Sequence, residues 1–148
     1  MIAAVYLAAA VLATSSAARS TLPIPEDVQI AAFRSELVSN KDLVRCLQTN
    51  GVDPKRSVLE AATLPDTIVV PGSACVRVMD PRRGSFHRST GKPAVFLSMG
   101  AFRRIDDSVS ELHIVSYRHG KWAEGATLTL KRTADGWSVT TRRSEWIA

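Results

Sequence analysis

The sequence is poor in the residues from which metal sites and nucleophilic centres are most often built. Its 148 residues include 3 histidines and 2 cysteines. A catalytic zinc ion takes three protein ligands as a rule, and His87, His113 and His119 do not follow a standard ligand spacing. No serine or cysteine stands beside a histidine in a recognisable nucleophile pattern. We therefore predict no catalytic residue, no metal and no cofactor, and we favour a non-enzyme while leaving an enzyme open.

Long apolar runs are also scarce. The run Ile2–Leu12 is shorter than the roughly 20 residues that a membrane-spanning helix needs. Small residues follow it up to Ala18, and this order is typical of a secretory signal peptide. The run is not preceded by lysine or arginine, so the alternative is an alanine-rich N-terminal helix of a cytoplasmic protein.

These features predict the domain organisation. We expect a signal peptide at residues 1–18, cleaved before Arg19, and a single domain at residues 19–148. The mature chain is expected to be periplasmic or secreted and to have no transmembrane segment. For an exported protein we expect no nucleic-acid partner.

The two cysteines, Cys46 and Cys75, are predicted to form a disulfide. An even number of cysteines in an oxidising compartment favours pairing. The alternative is two buried thiols that act as small apolar side chains.

The C-terminal third of the chain predicts a four-stranded antiparallel meander. Asp106-Asp107 and Asp135-Gly136 interrupt its β-rich runs, and Asp-Gly between β-branched residues is a strong hairpin signal because glycine accepts a positive φ. Apolar and polar residues alternate within the runs, as expected for a sheet with one buried face. The predicted strands are Ala94–Arg103, Ser108–Arg118, Ala126–Arg132 and Trp137–Arg143.

The N-terminal half predicts two helices and several short strands. A main helix starts after Pro25, where Glu26 and Asp27 suit the helix dipole, and carries an apolar stripe. The fold class is therefore α+β, with one main N-terminal helix and a short second helix packed on a mostly antiparallel sheet. The second helix is predicted at Lys55–Ala62, and the short strands at Asp42–Thr49, Thr67–Val70 and Cys75–Met79.

The loop Asp80–Pro93 is the first candidate binding site. It carries Arg82, Arg83 and Arg88 with Phe86 among them, and arginine suits carboxylates and phosphates because its N–H groups form a planar fork. The alternative is a solvated loop that charge keeps soluble. Ser89 and Lys92 in this loop match a Ser-x-x-Lys pattern, which we interpret as coincidence because Gly91 and Pro93 oppose a helix.

The segment His119–Gly125 is predicted to be a hairpin tip that contains Trp122. Tryptophan is enriched at binding hot spots, so an exposed Trp122 is the second candidate contact. The alternative is a lid that folds back over the end of the sheet. Trp137 and Trp146 are predicted to lie in or near the core.

Three segments together resemble small exported bacterial domains of uncharacterised function. Such domains tend to end in a Gly-x-Trp-x-Val strand and a Trp-Ile close, and the terminal strand is also similar to cystatin-like and NTF2-like folds. The resemblance implies a helix on a curved antiparallel sheet and carries over no catalytic residue. The segments are Val44–Leu47 with Gly51–Pro54 and Val58-Leu59; Val70–Cys75; and Gly136–Val139 with Glu145–Ile147.

We therefore expect an exported, non-enzymatic binding or interaction domain. Its partner is expected to be a protein or an anionic component of the cell envelope, since the net charge of +5 favours weak attraction to anionic surfaces. The alternative is an NTF2-like small-molecule pocket or minor enzyme. A pocket of a few hundred Å³ lined by ionisable groups favours this alternative, whereas a filled core with an exposed patch favours a binding domain.

Overall fold

A computed structural model describes residues 22–148, and the predicted signal peptide lies outside the described residues. Two α-helices precede the strands of the meander, as the sequence predicts. The elements in chain order are α1 (Glu26–Glu36), β1 (Val44–Thr49), α2 (Arg56–Ala62), β2 (Ile68–Pro71), a 3₁₀ turn (Gly72–Ala74), β3 (Cys75–Val76), β4 (Phe86–His87), β5 (Ala94–Arg104), β6 (Val109–His119), β7 (Trp122–Thr133) and β8 (Gly136–Ile147).

Six of the strands form one mixed sheet in the order β2-β1-β5-β6-β7-β8. The four-stranded antiparallel meander at the C-terminus is confirmed, and with it the α+β class. Strand β1 runs parallel to both β2 and β5. Helix α2 supplies the crossover that a parallel β1–β2 pair requires, because a short hairpin can join only antiparallel strands.

The last two strands are longer than predicted. Strand β7 begins at Trp122, and β8 continues to Ile147. The hairpin loop predicted at residues 119–125 is therefore shorter in the structure and consists of a two-residue turn, Gly120 and Lys121. The predicted strand Cys75–Met79 ends at Val76 and pairs with β4, which lies inside the predicted basic loop.

One face of the sheet is covered by the two helices. The apolar side of α1 places Val28, Ala32 and Phe33 in a core with Leu112 and Leu128 of the sheet. All five side chains are buried. Burying a side chain such as Phe33 stabilises the fold by roughly 1.5–3 kcal/mol, so the amphipathic stripe of α1 is explained by this face.

The opposite face carries a second, smaller core around the disulfide. The Cys46–Cys75 bond is confirmed, with the two Cα atoms 6.3 Å apart. Phe96, Tyr117 and Ala123 pack around it. In the chain-entropy model, closing a loop of this size stabilises the fold by about 3 kcal/mol. The disulfide thus attaches the segment that follows β2 to the second face of the sheet.

Trp137 packs against the main core, as predicted, but the prediction for Trp146 is wrong. The Trp146 side chain is 43% exposed and its indole lies over Gly125, where a Cβ atom would collide with the ring. Strand β8 is an edge strand, so the end of the chain has a neighbour on one side only. The ring therefore covers a glycine instead of entering a core.

Arg142 of β8 joins α1 to β7. Its Nε donates to Glu36 Oε1 at 3.0 Å and its Nη1 to Glu124 Oε1 at 2.9 Å. Ser144 Oγ also donates to Glu124. These bonds lower the pKa of Glu124 from its ordinary 4.5, with the Arg142 hydrogen bond as the main cause, followed by the Ser144 bond. The same bond to Glu124 raises the pKa of Arg142.

We expect E124Q to be less stable than the natural sequence at neutral pH, and the difference to vanish in acid. Because the folded-state pKa of Glu124 lies below 4.5, its stabilisation is complete above that value and is lost as pH falls through the lowered pKa. Melting temperatures of both proteins between pH 7 and strongly acidic pH measure this difference.

E60Q is the matched control, since Glu60 forms an exposed pair with Arg56 on α2. Exposed helix pairs of this spacing contribute only a few tenths of a kcal/mol. A gap between E124Q and the natural sequence that does not depend on pH would contradict the role assigned to the Arg142 bonds.

Candidate functional site

The segment from β3 to β4, residues 75–87, lies on the second face of the sheet and is held there by Ser85. The Ser85 N–H donates to the Arg118 carbonyl at 2.8 Å, and the Ser85 carbonyl accepts from the Ala94 N–H at 2.9 Å. Its hydroxyl accepts the Val78 N–H at 3.1 Å. The Ser85 side chain is buried. Ser85 therefore attaches this segment to β5 and to β6, and its hydroxyl joins the two halves of the segment. We call residues 75–87 the ribbon.

Arg77 of the ribbon lies over two aromatic rings that are neighbours on the same face of the sheet. Its guanidinium carbon lies 4.7 Å from the centre of the Phe96 ring and 4.4 Å from that of Tyr117. The Tyr117 hydroxyl donates to the Val78 carbonyl at 3.0 Å, so one of the two rings is itself fixed to the ribbon. Stacking uses the faces of the guanidinium and leaves its N–H edges for other partners.

A second stacked arginine lies in the turn at Asp80–Gly84. Arg83 stands over Phe86, with the guanidinium carbon 4.2 Å from the ring centre. The Asp80 carbonyl accepts the Gly84 N–H at 2.9 Å, and its carboxylate accepts the Arg82 N–H at 2.9 Å. Asp80 therefore shapes the turn, as aspartate commonly does, and Arg82 and Arg83 extend from it into solvent.

Four arginines of this region have no acidic partner. Arg118 packs beside Gly84, next to the turn that carries Arg82 and Arg83. Within residues 22–148, no carboxylate forms an ion pair with Arg77, Arg82, Arg83 or Arg118. Residues 1–21 contain no Asp or Glu. We call Arg77, Arg82, Arg83 and Arg118 the arginine surface.

The structure separates Arg88 from this surface. Strand β4 ends at His87, and the Arg88 N–H donates to the Ala74 carbonyl at 2.9 Å, at the other end of the ribbon from Arg83. Ser89 follows in a turn after β4 and not at the start of a helix. The Ser-x-x-Lys pattern therefore lacks the helical context that its chemistry needs.

Trp122 lies at the end of the sheet where the ribbon turns. The Gly120 N–H donates to the Met79 carbonyl at 3.0 Å, and Ala148 exchanges hydrogen bonds with Ala123 at 2.8 and 3.3 Å. Ala123 packs in the core under the ribbon, so strand alternation directs Trp122 to the opposite face. Its side chain is 44% exposed. We call this end of the sheet, with Met79, Lys121, Trp122 and Ile147, the tip.

Sequence reasoning missed Arg77, Arg118, Met79 and Ile147. A usable signal existed for Arg77, because strand alternation from Cys75 places residue 77 on the same side as the disulfide. No local pattern joins Met79 to Gly120 or Ile147 to Glu124, since these contacts connect segments that are distant in the chain.

A second feature is a cleft of about 850 Å³ beside an irregularity in β5. The pairing of β5 with β6 shifts between Gly100 and Arg103, and Ala101 adopts a left-handed φ of 48°, which is rare for a residue with a side chain. Arg103, Glu111, His113, Thr127 and Glu145 are among the residues that line the cleft. We call it the bulge cleft.

The charges in the bulge cleft are paired with one another except for Arg104, which forms no ion pair within residues 22–148. Arg103 contacts Glu111 at 2.6 Å. Glu145 accepts the Thr127 hydroxyl at 2.6 Å and lies 3.4 Å from His113 Nδ1. The Thr127 hydrogen bond is the largest cause that lowers the pKa of Glu145, followed by Arg143 and His113. A ligand in this cleft has to compete with bonds that already exist.

Comparisons with known proteins add no relative. No family model, no curated protein and no solved structure matches the chain. In the described part of the chain, no group of three or more His, Cys, Asp and Glu side chains is arranged to hold a metal ion. None of the helices described between residues 22 and 148 has the length and apolar character needed to cross a membrane.

We expect S85A to loosen the ribbon. The substitution leaves the Val78 N–H without its hydroxyl acceptor, and an unsatisfied buried group costs about 1–3 kcal/mol. Trypsin cleaves after arginine, so the turn at Arg82 and Arg83 reports the opening of the ribbon. Limited trypsin digestion followed by mass spectrometry should show faster cleavage there in S85A than in the natural sequence.

S89A is the matched control, because Ser89 belongs to the same loop but is exposed. Equal cleavage rates at Arg82 and Arg83 in S85A and S89A would show that Ser85 does not hold the ribbon in place.

Proposed function

We propose that this protein is a non-enzymatic binding domain that uses the arginine surface to hold an anionic partner outside the cytoplasm. The observation that carries the proposal is that Arg77 and Arg83 are stacked on aromatic rings while no acidic side chain of the described residues pairs with them. The predicted site residues Arg82 and Arg83 belong to this surface, and the predicted site residue Phe86 supports Arg83. Arg88 is not needed for it.

Stacking prepares the arginines for binding. A free arginine side chain loses rotamer freedom when it binds, which costs about 0.5–1.5 kcal/mol for each side chain that becomes immobilised. Arg77 and Arg83 are already held against Phe96, Tyr117 and Phe86, so part of this loss has occurred on folding. Their N–H edges can then form paired bonds to a carboxylate or a phosphate.

The electrostatic balance also favours this surface over the bulge cleft. In the cleft, Arg103 already pairs with Glu111 and His113 contacts Glu145. At the arginine surface, Asp80 is the acidic residue of the turn, and its carboxylate accepts a backbone N–H without pairing with an arginine side chain, so four cations face one carboxylate. Four like charges close together repel one another, and a bound anion relieves that repulsion.

The disulfide supports a site of action outside the cytoplasm. Disulfides persist in oxidising compartments and are rare in the cytosol. Cys46–Cys75 closes a sequence separation of 29 residues and fixes the start of the ribbon. A periplasmic or secreted location, together with the predicted signal peptide, is part of the proposal.

Replacing Arg82, Arg83 and Arg118 by serine should weaken binding to a soluble polyanion at least tenfold. Exposed ion pairs contribute about 0.2–1 kcal/mol each, and three of them at about 0.5 kcal/mol or more together exceed the 1.4 kcal/mol that corresponds to tenfold. Titration with dextran sulfate, followed by calorimetry at low and at physiological salt, measures the loss.

The matched control replaces Arg34, Lys131 and Arg132 by serine. These exposed residues also lack an ion-pair partner in the described chain and lie away from the ribbon, so the control removes the same charge. We expect less than a threefold loss for it. If both variants lose affinity equally, binding depends on net charge alone and the arginine surface is not a site.

The bulge cleft favours a second candidate function, a small-molecule site. Its volume of about 850 Å³ and its ionisable lining match the size of ligand pockets. The contact between Glu145 and His113 Nδ1 orients the imidazole, which leaves Nε2 to accept or donate a proton to a bound molecule.

If the bulge cleft is a small-molecule site, a polar fragment that binds there should raise the melting temperature of the natural protein by roughly 5–10 °C at a hundred times its Kd. The increase in melting temperature should be lost in H113Q, which changes the lining of the cleft. It should be kept in H119Q, because His119 lies at the end of β6 and does not line the cleft. A fragment screen by thermal shift provides the measurement, and a fragment that stabilises both variants equally would rule out the cleft as its site.

A further inference from the structure

We infer that the anionic partner of the arginine surface is a phospholipid bilayer, and that the tip docks on it end-on. The inference rests on the proposed function and names its partner. It is motivated by large exposed apolar side chains at the same end of the sheet as the unpaired arginines.

Three large apolar side chains of the tip are exposed. Ile147 is 78% exposed, Met79 71% and Trp122 44%. The three come from three different segments, the ribbon, the start of β7 and the end of β8. Hydrogen bonds from Gly120 to Met79 and between Ala148 and Ala123 bring these segments together. Isolated exposed apolar residues are ordinary, and it is the convergence of three of them from three segments on one end of the sheet that we interpret as a contact surface.

Four cations and two acidic residues belong to the segments that carry this apolar group, the acidic residues being Asp80 beside Met79 in the chain and Glu124 opposite Ile147. Lys121 lies in the turn of the tip, and Arg118 is the residue before His119 at the end of β6. Arg82 and Arg83 lie in the turn beside Arg118, next to Gly84. None of the four has a carboxylate partner among residues 22–148. Anionic headgroups at a bilayer surface supply the missing charge, with about a fivefold gain in binding for each cation near the surface.

The arrangement on two faces favours a bilayer over a protein partner. Ala123 packs under the ribbon, so alternation sends Trp122 to the face opposite the ribbon, while Met79 belongs to the ribbon. A protein that docks on one face of the sheet reaches only one of them. A bilayer that meets the end of the sheet reaches both, because apolar and indole groups enter the interface while Arg and Lys extend to the headgroups.

Charge distribution points the same way. The centre of a protein–protein interface is depleted of charged residues, and its polar groups lie at the rim. At the tip, Lys121 stands next to Trp122 in the chain and Arg118 two residues before Gly120. Cations interleaved with aromatic and aliphatic groups are typical of segments that lie at the surface of anionic membranes.

The test is sedimentation of the purified protein with two kinds of vesicle, phosphatidylcholine alone and phosphatidylcholine mixed with phosphatidylglycerol. The tip variant replaces Met79, Trp122 and Ile147 by serine. Its matched control replaces Val38, Val52 and Ile105, which are 67%, 65% and 49% exposed, by serine. We expect the natural protein to sediment with the mixed vesicles and not with phosphatidylcholine alone.

We expect the tip variant to bind the mixed vesicles at least tenfold more weakly, and the control to bind within twofold of the natural protein. Binding of both variants to dextran sulfate should stay unchanged, because neither removes a charge. This second measurement separates the tip from the arginine surface, and a cooperative thermal unfolding transition reports that each variant is folded.

Three outcomes overturn the inference. A tip variant that binds vesicles as well as its control removes the role of the apolar group. Binding to dextran sulfate without binding to the mixed vesicles leaves the proposed function in place and points to an acidic protein or polysaccharide. Failure to bind either probe removes the proposed function, and the inference with it.

Discussion

The attachment of the ribbon to the second face of the sheet is the constraint on which the candidate surface depends. Three separate interactions provide it. The Cys46–Cys75 disulfide fixes its start, Arg77 stacks on two rings of the sheet, and buried Ser85 bonds to both β5 and β6 near its end. A short two-residue pairing of β3 with β4 would be marginal by itself. Together these bonds hold the arginines of the ribbon in fixed positions.

The two faces of the sheet therefore differ in what covers them. The helix face is apolar along its length and supplies most of the buried core. The second face is covered only where the ribbon lies, and the remainder carries the paired charges of the bulge cleft. A buried or half-buried charge needs a partner, and in the cleft each carboxylate has one. The cations of the arginine surface, which have no ion-pair partner within residues 22–148, are exposed.

Much of this fold follows from local sequence signals, and the exceptions have a common cause. The Asp135-Gly136 turn, the alternation in β5 to β8 and the acidic start of α1 each act within a few residues, so the meander and the main helix were predictable. The disulfide was predictable because the chain has only Cys46 and Cys75. The parallel pairing of β1 with β5 was not, since periodicity identifies a strand and not its neighbour.

The same limit applies to the candidate site. Arg82, Arg83 and Phe86 were found because they are adjacent in the chain. Arg118 joins them through the bond between Ser85 and the β6 backbone and through its packing beside Gly84, and no pattern in the sequence encodes these contacts. Trp146 was placed in the core because tryptophan is usually buried. Its position on an edge strand, over Gly125, depends on the order of strands in the sheet.

The position of the disulfide links the geometry of the candidate surface, as well as stability, to the oxidation state of the two cysteines. Cys46 lies in the middle of β1, and Cys75 is the first residue of β3, so the bond crosses from the sheet to the ribbon inside the second core. Reduction leaves Ser85 and the Arg77 stack to hold the ribbon, and it returns the entropy of a loop of about thirty residues to the unfolded chain. The start of the ribbon is then the least restrained part of the surface. Because Arg77 lies two residues from Cys75, the loss of the bond acts directly on the stacked arginine. An oxidising environment therefore contributes to the site itself and not only to the stability of the domain.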